Sequence, residues 1–597
     1  MKRINYIAFA SLVFLGVSCK KDYLDRTSGS AITKEVFFNT PEDLATYTNG
    51  LYKQMRAEYT DLYSDNIALS NNDQNAEVRT LLAGTLSPAT VKGWDKDAWA
   101  PLRDVNYMLN NVGKVSGDPA VINHYIGIAR LFRANFYYEM VKKYGDVPWY
   151  SQVLGTSSED LYKAKDPRTA VVDSLMKDLE FAAANVLPAR TDNSYITKWS
   201  ALTLLSRIAL HEGTFRKYHT ELNLQNTAAT FLERAASASQ EIISNGGFVI
   251  SGNSGTDYRA LFSSNNLSTN KEIIFIQKNS RDLGVANNTH TVLDWQWALS
   301  ASLANEFLMK DGTPFTSTAN YGKKEFKELF QDRDPRLAET IMPPGFSNNA
   351  AGTPYITRPD FGGLLQIKFY PRDPALRGGW DLNYTDLPIM RYAEVLLINA
   401  EAKAELGKLT QADVDVTVNK IRHRVGMPAL NLTVANAAPD SYLANQYPAV
   451  SGVNKGVILE IRRERRVELA CEGFRFDDLY RWKAGALLAQ APGGMYIPTL
   501  GGIDVTGDGV ADIAILKKGD ESPIANLPAA VKEKIVKFYV NDGTFYLENE
   551  NSGKIKFLDD KAPQRPRSFN EAKYYYFPIP IEQTVLNPKL EQPTGWK

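Results

Sequence analysis

Apolar side chains recur every three or four positions through the first 245 residues and again over 386–485, the period of amphipathic helices. The first helix starts at Thr40, an N-cap residue, with Pro41 at the opening position and Glu42 and Asp43 in the first turn. Leu44, Tyr47, Leu51 and Met55 then form its apolar stripe. The pattern predicts further helices over 99–112, 120–144, 169–185, 198–212 and 227–244. In the longest of these, Ile128, Leu131, Phe132, Asn135, Phe136 and Met140 share one face, and Gly145 and Pro148 end it. Helices paired at this length suit tetratricopeptide-type hairpins, though more loosely spaced than a repeat of about 34 residues, and suit a plain helical bundle equally well.

Elsewhere the period is lost. Residues 61–93 read as loop, rich in Asn, Asp and Ser. Over 246–385 the stripes give way to Gly, Pro, Asn and isolated aromatics, with strand-like pieces at 272–277 (EIIFIQ) and 365–370 (LQIKFY). Long loops on a rigid frame are where binding residues concentrate. Helices resume with PIMRYAEVLLINAEAKAELG (388–407) and DVDVTVNKIRHRVGMP (413–428). The tail, 486–597, is rich in prolines near its end, which force extended backbone.

The stretch 457–483, VILEIRRERRVELACEGFRFDDLYRWK, breaks the amphipathic rule. It carries eight charges between Glu460 and Glu472. Ile458, Ile461, Leu469 and Ala470 make an apolar stripe, yet Arg465 and Glu468 fall on or beside it. Charges beside a buried face must be satisfied there. Glu460 and Arg463, and Arg465 and Glu468, stand one helical turn apart. This predicts a buried ion-pair network that locks the helix onto the fold; a catalytic arginine–glutamate cluster is the competing reading. Gly473 is expected to stop the helix ahead of the block Phe474, Phe476, Leu479, Tyr480 and Trp482.

Charge then narrows the function classes. The 68 basic and 68 acidic side chains cancel, and no basic block stands apart from acids, which argues against nucleic acid. Two cysteines, Cys19 and Cys471, give no disulfide framework. The five histidines have no zinc spacing; His211-Glu212 opens like a zincin motif, but Phe215 occupies the position of the second histidine. Paired carboxylates for glycoside hydrolysis are set in space and not along the chain, so a surface glycosidase or peptidase stays open. At the amino terminus, Lys2 and Arg3 precede an apolar run, Ile4 to Val17, too short to span a bilayer. Residues 1–18 therefore read as an export signal, Cys19 as an acylated first residue and 19–32 as a linker. Gly16 stands where a lipoprotein box usually has Leu.

RRERRVELACEGFRFDDLYRW (462–482) closely resembles the signature of SusD/RagB-family lipoproteins, and ARLFRANFYYEMVKKYGDVPWY, KWSALTLLSRIALHEG, PIMRYAEVLLINAEA, VNKIRHRVGMPAL and YYYFPIPIEQTVLNPKLEQPTGW resemble further blocks of that family in its order. Cys471 stands where Phe or Tyr is common. The resemblance implies a mainly α fold with tetratricopeptide-type hairpins, a loop-rich ligand region and a few short strands. On that reading 33–597 is one SusD-like domain: a helical frame (33–245 and 386–485), an insert (246–385) and a packing segment (486–597). It also implies a non-catalytic lipoprotein, lipid-anchored in the outer membrane and exposed on the cell surface. Such a protein captures oligosaccharides, or in some members peptides, for a TonB-dependent, SusC-like transporter. A helical-repeat scaffold that binds only proteins is the remaining alternative.

Two sets of site residues follow from the residues themselves. Flat sugar faces stack on aromatic rings while hydroxyls need amide, carboxylate or arginine partners, so Trp94, Trp295, Trp297 and Trp380 in loop-like segments, with Asp65, Asn66 and Arg377, are candidate ligand contacts. Trp99, Trp149, Trp199, Trp482 and Trp596 lie in the family-like blocks and are expected to pack. In GGIDVTGDGVADIAI (501–515), Asp504, Thr506, Asp508 and Asp512 fall at positions 1, 3, 5 and 9 of an EF-hand-like loop, with Gly509 at position 6 and the carbonyl of Val510 at position 7. That spacing suits a structural Ca²⁺, but position 12 is Ile515 and not the usual Glu. An acidic surface turn is the alternative.

Overall fold

The computed structural model describes residues 37–69, 76–189, 191–558 and 567–597. Cys19, the signal 1–18 and the linker 19–32 lie outside the described residues. The protein is mainly helical with few short strands, in a tetratricopeptide-like fold. Its frame consists of α1 (Pro41–Leu51), α2 (Lys96–Asn111), α3 (Pro119–Tyr144), α4 (Arg168–Asn185), α5 (Lys198–Tyr218), α6 (Gln225–Asn245), α7 (Tyr392–Glu405), α8 (Lys455–Glu468) and α9 (Arg475–Arg481). The Thr40 hydroxyl accepts from the Asp43 amide at 3.4 Å while the Asp43 carboxylate accepts from the Thr40 amide at 3.0 Å, a reciprocal cap. Helices α3 and α4, α5 and α6, and α6 and α7 pack in pairs. Gly213 permits the close approach of α5 to α6, because a Cβ there would sit 2.8 Å from Leu232.

Four expectations are corrected. Residues 61–93 contain strand β1 (Ile67–Leu69) and a helix, Ala76–Leu82. In 388–407 the first residues belong to a strand, Leu387–Arg391, paired antiparallel with Ile273–Gln277, and the helix begins only at Tyr392. The segment 413–428 splits at Thr417 into Gln411–Val416 and Val418–Arg424. Residues 365–370 are buried but form only isolated bridges, with Phe369 at φ +72°. The tail carries two three-stranded sheets, one of Gly501–Ile503, Ile513–Leu516 and Val536–Tyr539, the other of Tyr496–Ile497, Gly553–Phe557 and Phe545–Leu547. Beyond them 567–597 lies on the frame, Phe577 donating its amide to the Lys143 carbonyl. Trp199, Trp482 and Trp596 belong to the frame's core, and Trp99 and Trp149 pack half-buried against it.

Helix α8 joins two cores. Val457, Ile458, Leu459 and Ile461 face the core of the frame; Val467, with Ala470 and Cys471 just beyond the helix, faces a second core built from the insert and the tail. The charges of α8 are buried and paired, but not all within the helix. Glu460 and Arg463 do pair at 2.9 Å. Arg465 turns instead to Asp478, with its Nε 2.8 Å from one carboxylate oxygen. Glu468, wholly buried, accepts from Arg336 at 2.9 Å, from Arg391 at 2.6 Å and twice from Arg424 at 2.6 Å. Local turn spacing is overridden by arginines from the insert and the frame. The helix also stops earlier than Gly473. The buried Asp61 carboxylate accepts the amides of Cys471 at 2.6 Å and Gly473 at 3.0 Å, and Cys471 adopts φ +66°.

Candidate functional site

Two loops of the insert meet through an antiparallel bridge between Asn287 and Asn383. The buried Asn383 side-chain oxygen accepts from the His290 amide at 2.8 Å, and the Asn287 side chain donates to the Thr385 carbonyl at 2.8 Å. Asp386 ties the same junction to Leu267 and Lys278 at 2.9 Å each. On this base a single helical turn, Thr291–Asp294, ends at Trp295, and Gln296 takes φ +58°. That turn points Trp295 outward, where it stacks on Trp380 with centroids 5.4 Å apart and planes within 15°. Trp380 is 57 % exposed. Its loop is held by Asn288 and Asp381, which exchange bonds of 2.8 Å and 2.6 Å.

A polar edge borders the stack. Arg377 donates to the Asn348 carbonyl at 2.9 Å and to the Tyr370 hydroxyl at 2.7 Å, and that hydroxyl donates to Asp294 at 3.1 Å. Burial pushes the Tyr370 phenol up from its usual range despite the bond from Arg377, so it remains a hydroxyl at neutral pH. Among the described residues, the Nε–H of Arg377 has no partner. An exposed indole near a guanidinium and a carboxylate, both held by the buried Tyr370 hydroxyl, can stack on the C–H face of a sugar and offer polar partners to its hydroxyls.

Of the ligand residues expected from the sequence, the structure brings together Trp295, Trp380 and Arg377. The other four belong elsewhere. Trp297 is 2 % exposed and stacks on Tyr59 in the second core. Trp94 packs edge-on against Trp99 and Tyr144, inside the frame. Asp65 pairs with Arg466 and Arg475; burial would raise its carboxyl, but the two guanidiniums bring it down to about 2. Asn66 is fully buried, accepting from Arg466 and donating to Asp61 at 2.8 Å each. Asp294 and Asp381 escaped notice although each adjoins a candidate tryptophan, and Tyr370 carried no signal at all.

The acidic loop is a hairpin joining Gly501–Ile503 to Ile513–Leu516. Carboxylate oxygens of Asp504, Asp508 and Asp512 come within 4.8 Å of one another. Asp512 also accepts from the Val505 and Thr506 amides at 2.9 Å, and the Thr506 hydroxyl reaches it at 3.3 Å. Asp504 accepts from Gly507 and Gly509 and faces Lys327 at 3.5 Å. The three carboxylates and a hydroxyl are hard oxygen donors of the kind Ca²⁺ takes. Ile515 is buried in its strand, so position 12 contributes packing and no ligand.

Comparison with known proteins agrees with this architecture. The model of the SusD family matches residues 271–596, more than half of the chain, and a second model, described as starch-binding associating with outer membrane, matches 22–210. SusD-like protein P2 of Formosa agariphila is 24 % identical over 508 residues, covering 80 % of this chain and 90 % of the relative. A SusD-like protein from Bacteroides fragilis superposes with a TM-score of 0.66 at 22 % identity, covering 96 % of this chain and 99 % of that one. A SusD-like carbohydrate-binding protein from the same species gives 0.65 at 20 % identity, covering 93 % and 100 %. On the match to more than half its length, the chain belongs to the SusD family.

Proposed function

We propose that this protein is a non-catalytic, lipid-anchored surface protein of the outer membrane that captures oligosaccharides and passes them to a TonB-dependent transporter. The observation that carries the reading is the Trp295–Trp380 stack, with one indole more than half exposed beside Arg377, Tyr370 and Asp294. Aromatic stacking suits transfer, because it gives reversible affinity without a charged partner in the ligand. Family membership supports the ligand class. Cys19 is the proposed site of acylation, and Asp504, Thr506, Asp508, Val510 and Asp512 the proposed cradle of a structural Ca²⁺.

The test is calorimetry of wild type and Trp380→Ala against a panel of α- and β-linked glucan, mannan and galactan oligosaccharides. Loss of a stacking contact of about 0.5–1.5 kcal/mol, together with the apolar area it covers, should weaken binding about tenfold while the melting temperature holds. Unchanged affinity would refute the platform, and release of shortened products from the panel would replace capture by hydrolysis.

A further inference from the structure

The hairpin that presents Trp380 has a cation at its base. Arg377 and Asn383 bridge across it, and the Gly378 amide donates to the Leu382 carbonyl at 3.3 Å, which leaves Trp380 at the tip. Trp380 follows Arg377 by three positions, so their Cα atoms lie no more than about 11 Å apart, within reach of one short oligosaccharide. Other arginines of the insert are matched. Arg336 pairs with Asp334 at 2.7 Å, Arg372 with Glu339 at 2.7 Å and Arg358 with Asp360. Arg333 gives its N–H groups to four backbone carbonyls. Arg377 has neither arrangement. Its Nη1 serves the Asn348 carbonyl and the Tyr370 hydroxyl; among the described residues no carboxylate pairs with it, and its Nη2 has no partner. Unlike the enclosed Nε, Nη2 opens to solvent on a half-buried residue.

Cations crowd behind it. The Tyr370 hydroxyl accepts from Arg377 at 2.7 Å, its carbonyl accepts from Arg259 at 3.2 Å, and Arg372 follows two positions on. Glu339 is shared, 2.7 Å from Arg372 and 3.8 Å from Arg259. Burial, with Arg372 and Arg377, brings the Arg259 guanidinium down to about 10 from an ordinary 12.5 in spite of Glu339. The acids of these loops are engaged elsewhere: Asp294 accepts from Tyr370, Asp373 from the Ala375 amide at 2.9 Å and Asp381 from Asn288 at 2.8 Å. The chain as a whole is neutral, so the crowding is local. A neutral sugar would leave the charge on Arg377 unmatched. An acidic one would pair with it, and a charge-assisted bond is about twice as strong as a neutral one. Stacking then supplies the base affinity and the charge selects among ligands. Carboxylate and sulfate ester offer the same chemistry here, anionic oxygens that accept from a guanidinium.

We propose, resting on the reading of the platform as a capture site, that its oligosaccharide is acidic, with a carboxylate or sulfate ester paired to Arg377 while a ring stacks on Trp380. Calorimetry of wild type against matched pairs tests this: galacturonic acid trimers with their methyl esters for the carboxylate, and sulfated galactan oligosaccharides with their desulfated forms for the sulfate. In one pair the acidic member should bind about tenfold tighter, and that preference should shrink as salt rises from about 0.02 M to about 0.5 M. Trp380→Ala should weaken both members of the pair. Arg377→Gln should bring their ratio close to one, and Arg377→Lys should keep most of it. Because the ratio is taken within one protein, a general loss of affinity through the loop does not imitate this result. Arg372→Gln, at an exposed residue, frees Glu339 beside the site and should lower the ratio as well, which preserves the test if Arg377→Gln does not fold. Equal affinity for both members of each pair, or a preference that Arg377→Gln leaves intact, overturns the proposal and keeps the platform. So does binding of neutral glucan, mannan or galactan oligosaccharides with none of the acidic members bound. Wild type that binds no saccharide at all removes the platform and the proposal together.

Discussion

Replacing Glu468 by glutamine should unbalance the centre of the molecule. Four hydrogen bonds from Arg336, Arg391 and Arg424 end on this carboxylate. Burial would raise its pKa, yet the three guanidiniums hold it far below the ordinary carboxylate range. Glutamine keeps the shape but deletes the charge and turns an N–H₂ toward the arginines. Hydrogen bonds to charged groups contribute about 1.5–3 kcal/mol each, and breaking a buried pair costs about 3–5 kcal/mol. Asp334, Glu272, Glu464 and Glu472 still share the three arginines, so the loss should stay near 3–5 kcal/mol and not four bonds' worth. That is about 150- to 5,000-fold in the folding constant. Urea unfolding followed by tryptophan fluorescence would measure it, with Glu233→Gln as control. Glu233 and its partner Lys408 are 56 % and 61 % exposed, where a pair contributes about 0–1 kcal/mol. If Glu468→Gln costs no more than Glu233→Gln, the network is not what holds the two cores together.

Trp297→Ala should destabilise by about 3–5 kcal/mol, measured in the same urea assay, because it empties a fully buried site; a variant that melts like wild type would move Trp297 back among the ligand contacts. Calcium should raise the melting temperature, and Asp504→Asn with Asp508→Asn should abolish the increase; a melting temperature indifferent to chelator would remove the metal. Acid should unfold the protein through its depressed carboxylates. Burial raises Glu401, but Arg481, Arg465 and Arg462 bring it down to about 2, from an ordinary 4.5. A lowered folded pKa gives stability that is complete above the unfolded value and lost as pH falls toward the folded one. Stability should therefore decline between about pH 4.5 and pH 2, with Glu401→Gln flattening that slope in pH-dependent urea melts.

The frame was legible because helix period and caps are local: Thr40, Pro41 and Asp43 specify a start without reference to the rest of the chain. Turn spacing identified the buried charges of α8 and paired Glu460 with Arg463 as found, but it mispaired Arg465 and Glu468, since Arg465 turns to Asp478 and the partners of Glu468 come from residues 336, 391 and 424. The site was harder. Trp295 and Trp297 look equivalent in sequence, and only the turn at Gln296, φ +58°, sends one outward and the other into the core. Asp65 and Asn66 look like polar loop residues until Arg466, some 400 positions later, reaches them. Tyr370 enters the site through a segment that reads as strand and is none.

The signal that ends α8 is not written in α8. Asp61 supplies it from 410 positions upstream, by taking the amides that a longer helix would have used. An N-terminal segment leaves the ribosome first, so the terminator exists before the helix it terminates. Until the two meet, nothing in the charged stretch except Gly473 opposes continued winding through Cys471, and the turn into α9 is undefined. Assembly of the region between the two cores is thus a closing step that waits until the chain has reached Gly473, and a version lacking residues 1–61 would lose a boundary far from the cut.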